Sequence, residues 1–277
     1  MAQNARVASE QPRTQHEEMW RRLLLGELKG PQRMRRIVGW IPSEPRCKLC
    51  AAPFGSPGKL FVRFLGFGPS RMNRRLCRAC IRAIEKKPGG AEVEISLLFA
   101  DVRGSTALAE QTPAQDYSRL IARFYGVAAG VVDGSDGIVD KFVGDQVVAL
   151  FIPGFAGPDH AARAIGAARN LLRETGNDGD GEPWIPIGAA VHTGVAYVGT
   201  VGEGDAVDFT ALGDAANTAA RLASSAGPGE ILVSSAAAAA AELETSGLET
   251  RTLTLRGRTA CVEAWVATAA TNASLAA

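Results

Sequence analysis

The stretch LLFADVRGSTALAE, residues 97 to 110, constrains this chain more than any other. An apolar run fit for the middle of a sheet stops on Asp101 and passes at once into Arg103-Gly104-Ser105-Thr106, a turn that opens a helix. A carboxylate ending a buried strand is costly unless something satisfies its charge. Either Asp101 caps the helix that follows, or it holds a metal ion.

A second carboxylate bears on the choice. The apolar runs GIVDKFV and QVVALFI flank Gly144-Asp145, a hairpin signal that puts Asp145 at the tip. If the strand ending at Asp101 lies beside that hairpin, both carboxylates share one sheet edge, where they repel unless a divalent ion lies between them. The free N–H groups of the helix start after Asp101 point to the same place and suit phosphate. Spacing alone leaves the alternative of a capping Asp and an ordinary turn Asp open.

Around these motifs the elements alternate readably. EVEISLLFAD reads as a strand, and residues 113 to 132 form an amphipathic helix with Tyr117, Leu120, Ile121, Phe124 and Val127 on one stripe. After the hairpin come a helix over 158 to 175, a strand pair IPIGAAVHTG and AYVGTVG, and DFTAL leading into the helix DAANTAARLASSA. EILVS, an Ala-rich helix at 236 to 243, and closing strands near 250 to 256 and 261 to 268 complete the order. Such an order predicts an α+β fold, a mixed sheet with helices on one face in the ferredoxin-like manner. His192 falls within a strand and reads as structural, and Cys261, alone in an apolar run, reads as a core residue.

Charge divides the chain where the motifs do. Residues 1 to 90 hold 19 Lys+Arg against 6 Asp+Glu, whereas residues 91 to 277 hold 11 against 23, so a net charge of +1 hides a basic front and an acidic remainder. A basic segment fits nucleic acid, anionic lipid or an acidic protein face, and the acidic remainder of the same chain is the nearest such face. Without an aromatic-interleaved binding motif, nucleic acid is disfavoured. No apolar run approaches the roughly 20 residues that cross a bilayer, and the charged N-terminus is unlike a secretory signal, so a cytoplasmic protein is expected.

Residues 1 to 14 read as disordered, 15 to 90 as a basic helical segment with a four-cysteine module, 91 to 269 as a catalytic domain, and 270 to 277 as a flexible tail. In the basic segment Trp20, Leu23, Leu24 and Leu28 fit one helical stripe, and a second short helix follows Gly30-Pro31. These helices pack on their own domain, with a peripheral membrane or dimerising contact as the lesser alternative. Two Cys-x-x-Cys knuckles, Cys47/Cys50 and Cys77/Cys80, can bring four thiolates around one ion; two disulfides or four idle thiols are the alternative, which a reducing cytoplasm disfavours. Thiolate spacing does not choose between structural zinc and an iron-sulfur cluster.

FADVRGST, KFVGDQVVALF, HTGVAYVGTVG and FTALGDAANTAARL, in this order over residues 93 to 268, resemble the class III nucleotide cyclase catalytic domain, the family that makes cyclic AMP or cyclic GMP. The resemblance implies that Asp101 and Asp145 hold two Mg²⁺ or Mn²⁺ ions. It also implies that backbone amides of Val102, Arg103, Gly104, Ser105 and Thr106 cradle phosphates and that Lys141 and Thr210 read the purine. By the same likeness Asn217 orients the ribose, Arg221 stabilises the transferring phosphorus and Arg256 neutralises terminal phosphates. A Lys donor and a hydroxyl acceptor suit adenine, so ATP is the expected substrate and adenylate cyclase the expected activity. Guanylate formation and a silent cyclase-fold sensor are the alternatives. Thr at position 210 resembles the branch that includes bicarbonate-responsive cyclases. In the family the metal aspartates and the purine, Asn and Arg groups come from different subunits, which implies a symmetric homodimer with two sites.

Overall fold

The computed structural model describes residues 14–38, 40–41, 46–56, 58, 68–69, 77–86, 88–179, 181–203, 207–254 and 261–271. Two short helices come first, α1 (Gln15–Leu24) and α2 (Lys29–Val38), and α3 (Arg78–Glu85) follows the second cysteine pair. Thr14 caps α1 in a capping box, its hydroxyl accepting from the Glu17 amide at 3.2 Å while Glu17 accepts from the Thr14 amide at 2.9 Å. Thr14, the last residue of the segment expected to be disordered, is thus held by hydrogen bonds; the rest of that segment, residues 1–13, lies outside the described residues.

β1 (Gly90–Val102) is the strand that ends beyond Asp101. After it run α4 (Ser105–Gln111), α5 (Ala114–Gly134), the hairpin β2 (Ile138–Val143) and β3 (Gln146–Phe151), α6 (Pro153–Ala156) and α7 (His160–Glu174). Then follow β4 (Ile187–Val201), β5 (Asp208–Leu212), α8 (Asp214–Ser225), β6 (Ile231–Ser234), α9 (Ser235–Ala240), β7 (Glu249–Leu253) and β8 (Val262–Ala267). The sheet order is β2-β3-β1-β4-β6-β8-β7, with β5 paired to β4 beside this path. Pairing is antiparallel except between β4 and β6.

Both faces of β1 are dry, and this departs from the expected single helical layer. Leu98, Ala100 and Val102 pack with Ile121 and Phe124 of α5 and Ile165 and Leu171 of α7. Ile95, Leu97 and Phe99 pack instead with Ala215, Ala219 and Leu222 of α8 and with Trp20 and Leu24 of α1. The alternating side chains of one strand thus feed two cores, and each large apolar side chain fully buried contributes about 1.5–3 kcal/mol.

The expected strand pair of residues 185–201 is one continuous strand. Gly194, the expected end of the first of the pair, lies mid-strand, where an added Cβ would come within 3.2 Å of the Ala215 Cβ; the glycine serves close packing of α8, not a turn. Cys261 is exposed at the start of the last hairpin strand, its sulfur 3.6 Å from the Thr254 hydroxyl, so it is not a core residue. His192 is structural, its Nδ1 sharing a hydrogen bond with the Ser234 hydroxyl at 2.8 Å.

Candidate functional site

The hairpin places the carboxylates as expected. Asp101 stands opposite Gln146 in the β1–β3 ladder, and Gly144, at φ +62°, turns the chain so that Asp145 immediately precedes Gln146. The Val102 amide donates to the Asp145 carbonyl at 3.3 Å, locking strand end to turn. Burial pushes the Asp101 carboxyl up, the Arg103 guanidinium at 2.7 Å pulls it down, and the neighbouring Asp145 carboxylate pushes it up again. Arg103 also donates to the carbonyls of Ser224 and Ala226 at 3.4 and 3.2 Å, fixing it under the end of α8. Two half-buried carboxylates side by side, with the proton affinity of Asp101 raised, form a donor set suited to a hard divalent cation.

Of the five expected phosphate-cradling amides, two serve the fold: Val102 donates to Asp145 and Arg103 to the Pro186 carbonyl at 2.8 Å. Gly104, at φ +70°, starts α4 and leaves the amides of that first turn, with those of Ser105 and Thr106, without helical acceptors. Two aromatic residues of α5 hold the hairpin tip. The Tyr125 hydroxyl donates to the Gly144 carbonyl and its ring stacks on Phe142 at 4.0 Å, while burial and Asp145 push the Tyr117 hydroxyl up. Tyr117 read from sequence only as part of a helical stripe, and Tyr125 gave no signal beyond following Phe124.

Lys141 and Thr210 meet at a third residue that the sequence did not single out. A bulge between Val139 and Lys141 leaves Asp140 as the extra residue of β2. The Thr210 hydroxyl donates to Asp140 Oδ2 at 3.0 Å, and Lys141 Nζ lies 3.4 Å from the same oxygen. The available signal was a carboxylate inside the strand IVDKFV. Asn217 and Arg221 project from α8 opposite its buried face of Ala215, Thr218, Ala219 and Leu222, Asn217 being exposed and Arg221 half-buried. Arg256 lies outside the described residues.

The family profile of the adenylate and guanylate cyclase catalytic domain matches residues 90–267. This chain belongs to the adenylate and guanylate cyclase family. An uncharacterized protein of Mycobacterium tuberculosis is 32% identical over 160 residues, covering 57% of this chain and 29% of that protein. An adenylate cyclase of Anabaena cylindrica is 30% identical over 132 residues, 46% of this chain and 26% of that enzyme. The chain thus spans under a third of the length of these curated relatives. Among solved structures it is similar to the guanylyl cyclase Cya2 (27% identity, TM-score 0.58, 68% of this chain and 100% of that one). It is also similar to the adenylyl cyclase CyaB from P. aeruginosa (25% identity, TM-score 0.56, 64% and 95%). Cyclases of both specificities therefore share this mixed α+β sheet.

Ahead of the cyclase domain, Cys47, Cys50, Cys77 and Cys80 converge so that all four sulfurs lie within 4.8 Å of one another, close enough to hold a metal ion. All four are free thiols. The Cys47 sulfur accepts from the Cys77 amide at 3.2 Å, and the Cys77 sulfur from the Cys80 amide at 3.4 Å. The Cys50 thiol holds Cys47 far below the usual thiol range, and Cys47 pushes Cys50 and Cys80 up. Four thiols gathered this closely suit a thiolate-loving ion. Lys48, between the first two cysteines, pairs with Asp136 at the root of β2, and Asp136 also pairs with Arg163 at 2.7 Å. Trp20 stacks on Phe209, the neighbour of Thr210, at 6.5 Å. No helix among the described residues is long and apolar enough to cross a membrane.

Proposed function

We propose that the chain is an adenylate cyclase, converting ATP to 3′,5′-cyclic AMP and pyrophosphate at a homodimer interface. The observation that carries the choice of ATP is the convergence of Lys141 and Thr210 on the Asp140 carboxylate. The Lys141 ammonium donates to purine N1, and the Thr210 hydroxyl accepts from the 6-amino group. Asn217 holds the ribose and Arg221 offsets the charge that grows on the α-phosphoryl group as the 3′-oxygen attacks it. The α-phosphorus gains a bond to the 3′-oxygen, loses the one to the β-phosphate bridge, and the hydroxyl proton passes to solvent. The amides of Gly104 to Thr106 take the phosphate oxygens. Asp101 and Asp145 would hold a Mg²⁺ or Mn²⁺ pair, which when bound would supply Lewis acidity for the hydroxyl and the triphosphate.

Two copies complete each site in this reading, Asp101 and Asp145 from one and Lys141, Thr210, Asn217 and Arg221 from the other. Support comes from Val143, Val195 and Leu212, apolar residues of the hairpin, β4 and β5 that are 54%, 58% and 47% exposed. The four-cysteine centre takes zinc or an iron-sulfur cluster and acts as a regulatory unit, supported by the Lys48 pair with Asp136 just before the strand of Lys141 and by the stack of Trp20, in the preceding helix α1, on Phe209 beside Thr210. Visible absorption of the purified protein separates the two, since zinc thiolate sites are colourless.

The test is turnover of ATP against GTP with Mg²⁺ or Mn²⁺. Asp101→Ala and Arg221→Ala each lower cyclic AMP formation about 10²-fold or more. Mixing the two variants restores about a quarter of wild-type activity, because random pairing gives half heterodimers with one complete site each. Absence of recovery refutes the shared site.

A further inference from the structure

Asp140 is the least expected group near the site. Its side chain is only 2% exposed, and Oδ1 is buried with no hydrogen-bond partner among the described residues. A carboxylate with one oxygen left dry is a poor structural choice, since an unpaired buried acceptor costs more than a made bond returns. The bulge in β2 nevertheless holds it where Oδ2 meets both Lys141 and Thr210.

We propose that Asp140 is a specificity-determining positioning residue: by taking the single proton of the Thr210 hydroxyl it fixes that hydroxyl as an acceptor, which selects adenine over guanine. The inference deepens the adenylate cyclase reading and rests on it. A hydroxyl has one proton and two lone-pair sites, and a free rotor serves a donor or an acceptor equally. With the proton committed to a carboxylate at 3.0 Å, the hydroxyl of Thr210, a residue 4% exposed, has only lone pairs left to offer a base. The 6-amino group of adenine donates into them, whereas O6 of guanine meets them lone pair to lone pair. Lys141 is 40% exposed and only loosely paired at 3.4 Å, so its ammonium stays available to purine N1 while its charge favours the ionised form of Asp140. Burial pushes the Asp140 carboxyl up, and Lys141 and the Thr210 hydroxyl oppose that push.

Asp140→Asn keeps the shape but offers an N–H to the Thr210 oxygen, releasing the hydroxyl proton to turn toward O6. The ratio of kcat/KM for ATP to that for GTP falls about tenfold or more, chiefly through KM, with the melting temperature close to wild type. Against a Thr210→Ala background the same substitution changes the ratio no further. Asp140→Asn combined with Thr210→Asp regains ATP preference, because a carboxylate is an acceptor without help. Should Asp140→Asn fail to fold, Asp140→Ala, which also frees the rotor, takes its place. An unchanged ratio in the folded variant, or an equal fall in the Thr210→Ala background, overturns the role of Asp140. A wild-type protein that prefers GTP refutes instead the adenylate reading beneath it.

Discussion

Among the described residues, those from Gly90 to Ala267 are tied together by backbone ladders, whereas those between 14 and 88 are tied to them mainly by side chains. β1 alone pairs with six residues of β3 and thirteen of β4. In the front segment the strand-like contacts among the described residues are single bridges, Arg46 to Pro53 and Pro69 to Cys77. What holds that segment to the rest of the fold includes the Trp20–Phe209 ring stack, the Lys48–Asp136 pair, the Arg35 guanidinium donating to the Gly154 carbonyl at 3.4 Å, and burial of Cys47, Cys50 and Cys77 in one core with Val93 and Val198. Ladders spread stability over many equivalent bonds, whereas a few side chains concentrate it, so the two regions open at different free energies.

The sharpest way to break this contrast is at the thiols. In Cys47→Ser/Cys77→Ser, amides of residues 46–56 and 77–86 exchange with deuterium about 10²-fold faster while those of β1 and β4 keep their protection. Equal loss in β1 would show one cooperative unit and remove the distinction. A smaller effect is expected at the junction, where a Cβ on Gly199 would collide with the Gly89 carbonyl and the Gly90 Cα. Gly199→Ala costs about 2 kcal/mol and lowers the melting temperature by about 5 °C, loosening the front segment before the sheet. The smallest effect belongs to the far edge. Arg251 donates twice to Glu230 at 2.7 Å and holds its carboxyl below the ordinary 4.5. A depressed acid contributes stability that is present above 4.5 and lost as the pH falls through its lowered value. Arg251→Ala flattens that acid limb by less than about 1 kcal/mol in thermal melts and leaves exchange in residues 46–56 unchanged.

Legibility from sequence followed the same divide. Turn chemistry announced Gly144-Asp145, hydrophobic alternation announced β1, and Cys-x-x-Cys spacing announced the thiol cluster, because each is a local constraint. Asp140 escaped notice because a bulge depends on the partner strand, and the apolar run GIVDKFV gives no reason to pair that carboxylate with Thr210, seventy residues away. The strand pair expected over 185–201 failed for a similar reason: a glycine such as Gly194, needed for close approach, looks like a strand end until the approaching helix is placed. The second helical layer was hidden because α1, which completes it, precedes the sheet and reaches it only in the folded chain.

The crossing of Gly89 and Gly90 under Gly199 also bears on ancestry. An added Cβ on Gly90 would sit 2.5 Å from the Val198 carbonyl, so the passage into the sheet admits no side chain from either direction. A gene fusion that joined such a leader to another cyclase would misfit unless the receiving strand already carried glycine opposite the seam.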